Sequence, residues 1–153
     1  MASTALACGS TPEPTRWDDA AGEIDEGKVD KPIGSIVAGS AFNALLPADG
    51  FKDHARVFTQ EREGYAEADY KLDGETVVTV SISDTRNNPS ARNKFSDAKE
   101  ELGGYPLVER GSNSSMVLVN DRFQVRASSR SLGASERKEW LGAASLDQLA
   151  GLN

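Results

Sequence analysis

The chain of 153 residues has one cysteine, Cys8, and one histidine, His54. A single cysteine excludes an intrachain disulfide. A zinc site built from Cys and His takes about four ligands, so that class of metal centre is excluded as well. Histidine-based acid–base chemistry has only His54 to run through, and His54 follows Asp53 at the mouth of a strand, a surface pattern. No apolar run approaches the ~20 residues of a membrane-spanning helix. Apolar residues make up 38% of the chain, short of the about 45–50% usual in a globular domain, so part of the length belongs outside any core. Positive charge is in deficit too: 17 Lys and Arg face 24 Asp and Glu, a formal net charge of −7. Such a surface repels phosphate backbones and anionic lipid, which argues against nucleic acid and against electrostatic membrane docking.

The motifs of catalysis are missing in the same way. There is no Gly-x-Ser-x-Gly elbow, and Gly103-Gly104 lacks the Lys and Ser/Thr of a phosphate-binding loop. Glu67 and Asp69 share a strand face with Lys71, a solvated arrangement rather than two carboxylates across a cleft. No catalytic residue, metal or cofactor is assigned.

What is present falls into two parts. Residues 1–39 read as an extended tether. Ala5-Leu6-Ala7-Cys8-Gly9-Ser10 resembles a lipobox, the site at which bacterial envelope proteins are cleaved before a lipid-bearing cysteine. The resemblance makes Cys8 the lipidation candidate and the only membrane link. It departs from the family's pattern in carrying Ala5 where Leu is preferred, with no charged start or apolar stretch ahead of it. Gly9 to Pro14 is Gly-Ser-Thr-Pro-Glu-Pro, a stiff linker composition. Between Trp17 and Asp30 stand six acids, Asp18, Asp19, Glu23, Asp25, Glu26 and Asp30, a run that stays solvated. Their spacing does not match a calcium loop. Trp17 is out of place in a tail and is a candidate partner anchor.

Residues 40–153 read as a single α+β domain. Ser40 caps a short helix, Ala41 to Leu46, closed by Pro47. Strands follow over 55–60, 65–72 and 76–83. In the second, Ala66, Ala68, Tyr70 and Leu72 alternate with Tyr65, Glu67, Asp69 and Lys71, the period of two of a half-wet sheet. Asp73-Gly74 marks a hairpin. Ala91, Phe95, Ala98 and Leu102, spaced four, three and four, predict a helix from Pro89 to the Gly103-Gly104 stop. Strands over 105–109, 114–119 and 122–128 come next, with Asn120-Asp121 as a tight turn. Ser135 caps a helix carrying Trp140, Leu141 and Ala144, and Ser145 with Gln148 suggests a further short helix. The expectation is a central antiparallel sheet of about six strands in two meanders, flanked by helices.

The runs Ala44-Leu45-Leu46-Pro47, Gly64-Tyr65-Ala66-Glu67-Ala68-Asp69-Tyr70, Gly104-Tyr105-Pro106-Leu107, Val117-Leu118-Val119 and Arg122-Phe123-Gln124-Val125 resemble small bacterial envelope proteins with a PsbP-like domain. The resemblance implies an exported accessory or binding module, periplasmic or anchored at the outer membrane, that holds a protein partner. It carries no catalytic residue with it. Two other readings stand beside this one: a small-molecule or ion-binding periplasmic protein, with Tyr65, Tyr70 and Tyr105 near its site, and an immunity-type inhibitor of a secreted enzyme.

Two groups of residues are candidates for recognition. The loop Asp84-Thr85-Arg86-Asn87-Asn88 gathers an acid, a base and two amides between a strand and a helix start. Arg122, Arg126 and Arg130, with Arg137, read as a positive stripe suited to an acidic partner.

Overall fold

The computed structural model describes residues 35–152, and Cys8 and Trp17 lie outside them. The chain forms a seven-stranded sheet, β1 (Ala55–Arg62), β2 (Tyr65–Leu72), β3 (Glu75–Asp84), β4 (Glu100–Leu102), β5 (Tyr105–Arg110), β6 (Ser114–Val119) and β7 (Phe123–Ser128). Their spatial order is β1-β2-β3-β7-β6-β5-β4, and every neighbouring pair is antiparallel. Among the described residues three short helices complete the α+β fold: α1 (Gly39–Asn43), α2 (Ala134–Ala143) and α3 (Leu146–Ala150).

The tight turns follow from residues that tolerate the left-handed region. Asp73 and Gly74 have φ of 52° and 83°, and Asn120 and Asp121 have 54° and 50°. These are the paired positive values of a two-residue hairpin whose twist matches that of its strands. Alternation then sorts the side chains. Ala66, Ala68 and Tyr70 of β2, Val78, Val80 and Ile82 of β3, Val117 and Val119 of β6 and Phe123, Val125 and Ala127 of β7 are all buried on one face. The helices cover that face. Phe42 of α1 meets Phe123 edge-on, with ring centroids 5.9 Å apart. Trp140 of α2 is the hub, at 4.9 Å from Phe51, 5.1 Å from His54 and 4.7 Å from Tyr70. Gly39 is where α1 comes closest to the sheet: a Cβ there would lie 2.2 Å from the Arg62 carbonyl oxygen. Only glycine permits that approach.

The helix expected over 89–102 does not form. Pro89–Phe95 is a 3-10 segment, and Glu100–Leu102 becomes the edge strand β4, the seventh strand. Gly103-Gly104, expected as a helix stop, is instead the β4–β5 hairpin turn, with φ of 62° and 87°. Of the four apolar residues at helical spacing only Phe95 is buried. It packs with Met116, Leu118 and Val108 on the face opposite the main core. Other differences are at the boundaries. The first helix starts at Gly39 rather than Ala41 and ends at Asn43. The N-cap of α2 is Gly133, not Ser135, and its N–H donates to Glu136 Oε2 at 2.9 Å. Contacts with the sheet begin before Ser40, since the Gly64 N–H donates to the Val37 carbonyl at 2.7 Å.

Candidate functional site

Asp84 closes β3, and Arg122 immediately precedes β7, the strand paired with it. Arg122 donates from Nη2 to Asp84 Oδ2 at 2.7 Å and from Nε to Oδ1 at 3.1 Å. The carboxylate also accepts the backbone N–H groups of Arg86 (3.1 Å) and Val37 (3.2 Å). Its side chain is 0% exposed and that of Arg122 only 8%. Burial by itself would raise the Asp84 pKa. The hydrogen bonds from Arg122, Arg86 and Val37 and the charge of Arg122 outweigh it and hold the carboxyl below its ordinary value. Arg122 Nη2 and Arg86 Nη1 both donate to the Ser35 carbonyl, at 3.3 and 3.4 Å. The loop expected to recognise a ligand is therefore a clasp that ties residues 35–37 to the middle of the sheet. Asn88 is exposed, and its Oδ1 accepts from the Ser90 hydroxyl at 2.6 Å. Asn87 contributes its backbone to the 3-10 turn Thr85–Asn87.

The arginine stripe is not assembled. Arg122 is in the clasp, and Arg137 is a buried residue of α2. Arg137 donates to the Ser115 hydroxyl (2.9 Å), to the Ser112 and Leu132 carbonyls (2.9 and 2.8 Å) and to Glu109 (2.9 Å). Such a guanidinium is a structural tie, its donors spent within the fold. The long-range acids that bury these two arginines were not readable from local pattern. Arg126 and Arg130 alone remain exposed.

The tyrosines do not converge on one site. Tyr70 is buried, donates to the Pro47 carbonyl at 2.6 Å, and is pushed well above its ordinary pKa by burial. Tyr105 donates to Asp147 at 3.0 Å. Tyr65 is half-buried and donates to Glu67 at 2.6 Å; burial and then this bond raise its pKa. His54 is buried beside Trp140, with Nδ1 2.7 Å from the Lys52 carbonyl. A carbonyl can only accept, so Nδ1 carries the proton.

Arg126 leads to a different site. Among the described residues, the sheet face away from the helices is covered only where Phe95 sits on β5 and β6. Elsewhere it is mostly polar, with Val57 and Val77 among its residues. Glu67 accepts from Tyr65 and from Thr59 Oγ1 (2.9 Å), and Asp69 accepts from Thr79 (2.7 Å) and Thr76 (3.2 Å). Over the β2–β3 hairpin and the end of β7 lies an open groove of about 820 Å³. Thr76, Thr79, Ser114 and Ser128 line it with hydroxyls, Asp73 and Glu75 bring negative charge, and Arg126 and Arg130 bring positive charge. Arg126 Nη2 donates to Ser114 Oγ at 3.0 Å, and the Ser114 and Ser128 hydroxyls are 3.2 Å apart. No motif of the sequence singles out Thr76, Thr79 or Ser128. One signal was available: Ser114–Val119 is apolar at consecutive positions from Met116 onward, which implies cover on both faces of β6 and so an element lying across the second face.

Among the described residues no group of three His, Cys, Asp or Glu side chains is placed to hold a metal ion, and no helix is long and apolar enough to cross a membrane. No family model, curated protein or solved structure matches the chain.

Proposed function

We propose that the protein is a non-catalytic binding module of the bacterial cell envelope, which holds a protein partner on the open face of its sheet. The observation that carries this reading is the groove over β2, β3 and β7, lined by hydroxyls and by charges of both signs. Polar groups at the rim of an interface confer orientation and specificity rather than bulk affinity. The proposal includes Cys8 as the point of lipid attachment and PsbP-like kinship of the α+β fold. The strand order supports a reading of the sheet as two meanders, β1–β3 and β4–β7.

The test is native mass spectrometry of the full-length protein, gently purified from its own host, followed by cross-linking. A stoichiometric second polypeptide cross-linked to Thr76, Thr79 or Arg130 is the expected result. Cross-links confined to the α2–α3 side would overturn the placement. The groove is also of a size that takes a small molecule; a retained small mass on the bare chain would favour that reading instead.

A further inference from the structure

The open face carries a second feature beside the groove, which the arginine pattern of the sequence did not show. Arg110 ends β5, and its partner across the sheet is Ser114 of β6. Ser114 pairs in turn with Ser128 of β7. Arg126, two residues before Ser128, leans across β6 and donates to that same Ser114 hydroxyl. Its guanidinium is thereby carried toward Arg110. Lys94 arrives from the 3-10 segment, next to Phe95, which packs on Val108 and Met116. Met116 is the cross-strand partner of both Val108 and Arg126. Three cations from three separate elements thus meet on one patch of an otherwise acidic chain.

Among the described residues neither Lys94, Arg110 nor Arg126 pairs with a carboxylate, although Arg92, Arg122, Arg137, Lys52 and Lys138 each do. Burial, and after it the charges of Arg110 and Arg126, hold the Lys94 ammonium below its ordinary pKa. Like charges brought together cost stability unless an anion joins them, and Lys94 is half-buried beside the two arginines. A fold selected only for stability would place an acid there, as this one does at Arg122 and Arg137.

We infer that Lys94, Arg110 and Arg126 form a carboxylate-binding cluster that receives an acidic segment of the protein partner. The inference rests on the binding-module reading and names the chemistry of its ligand. Two guanidinium groups offer the paired N–H donors that match planar carboxylates, and the Ser128 hydroxyl beside them adds a donor. An extended polyanion is a poor fit. Nucleic acid or an anionic bilayer must lie along the whole chain, whose net charge is −7, and repulsion acts over a Debye length of about 8 Å. A short acidic peptide engages the cluster alone.

The probe is hexaglutamate, titrated into the full chain and followed by NMR, with inorganic phosphate and phosphatidylglycerol vesicles run in parallel. The expected result is saturable shifts confined to Lys94, Arg110, Arg126 and their strand neighbours, weakened by salt, with the Lys94 titration moved to higher pH. The triple variant Lys94→Gln, Arg110→Gln, Arg126→Gln should weaken binding by about tenfold or more. A charge-matched control, Arg62→Gln, Lys71→Gln, Lys138→Gln, should bind as the parent does. Retained resonance dispersion for Ala66 to Ile82 shows that both variants are folded. Shifts from phosphate alone, sedimentation with vesicles alone, equal loss in the control, or no shift from any probe overturns the inference. A partner complex that survives the triple substitution overturns it too, while leaving the binding-module reading standing. If neither parent nor variant retains a partner, the binding-module reading fails instead.

Discussion

The two faces of this sheet are made by the same strands and have opposite chemistry. On the helix side, β2, β3 and β7 present Ala66, Ala68, Tyr70, Val78, Val80, Ile82, Phe123 and Val125, all at most 1% exposed. On the other side the alternate residues include Glu67, Asp69, Thr79, Gln124, Arg126 and Ser128, all of them half-buried or exposed. A period of two permits this division at no conformational cost, because adjacent residues must point apart. The difference separates a packed face from one whose polar groups meet solvent. The covered face holds the molecule together, and the open face is free to vary its polar groups without unmaking the core.

That separation is open to attack, beginning with the largest effect. Trp140→Ala removes the ring that touches Phe51, His54 and Tyr70 and should cost about 3–5 kcal/mol, measured by urea denaturation. Asp84→Asn leaves Arg122 buried and uncompensated, with an expected loss of about 3 kcal/mol. This pair also gives a pH dependence. The Asp84 carboxyl titrates lower in the folded chain than its unfolded value of about 3.9, owing to Arg122 and two backbone donors. Its contribution is therefore complete above that unfolded value and is lost as pH falls through the folded one. Acid unfolding of Asp84→Asn should show a shallower pH dependence than the parent. Gly39→Ala drives a Cβ against the Arg62 carbonyl and should cost about 2 kcal/mol by overpacking, read as a lower thermal midpoint. At the small end, Thr79→Val on the open face should change stability by no more than about 0.5 kcal/mol. A large loss from Thr79→Val, or a small one from Trp140→Ala, would break the division of labour between the faces.

Much of this arrangement was legible in the residues, and what was not had one cause. Tyr65–Leu72 alternates so regularly that its strand limits matched, and Asp73-Gly74 fixed the hairpin after it. Both signals are local. Ala91, Phe95, Ala98 and Leu102 mimic a helical stripe, yet Pro89–Phe95 winds as a 3-10 segment and Leu102 joins β4, where it pairs with Tyr105. An edge strand of three residues has too little sequence to announce itself, and its pairing partner lies across a glycine turn. The arginines failed for a related reason. Period two places Arg122 outward beside Arg126, but Asp84, 38 residues earlier, draws it inside. Arg137 follows Glu109 over 28 residues. The cluster of Lys94, Arg110 and Arg126 depends on three elements at once, so no window of sequence contains it.

The clasp at Ser35 and Val37 also decides how the domain meets force. A pull applied through Ser35 enters at Asp84 and Arg122, where β3 and β7 join in the centre of the sheet. Load delivered there meets the buried ion pair before any strand can peel, whereas load on β1 would open the sheet from its rim, one hydrogen bond at a time. A pull on Ser35 would thus first strip away a small charged latch rather than an edge strand.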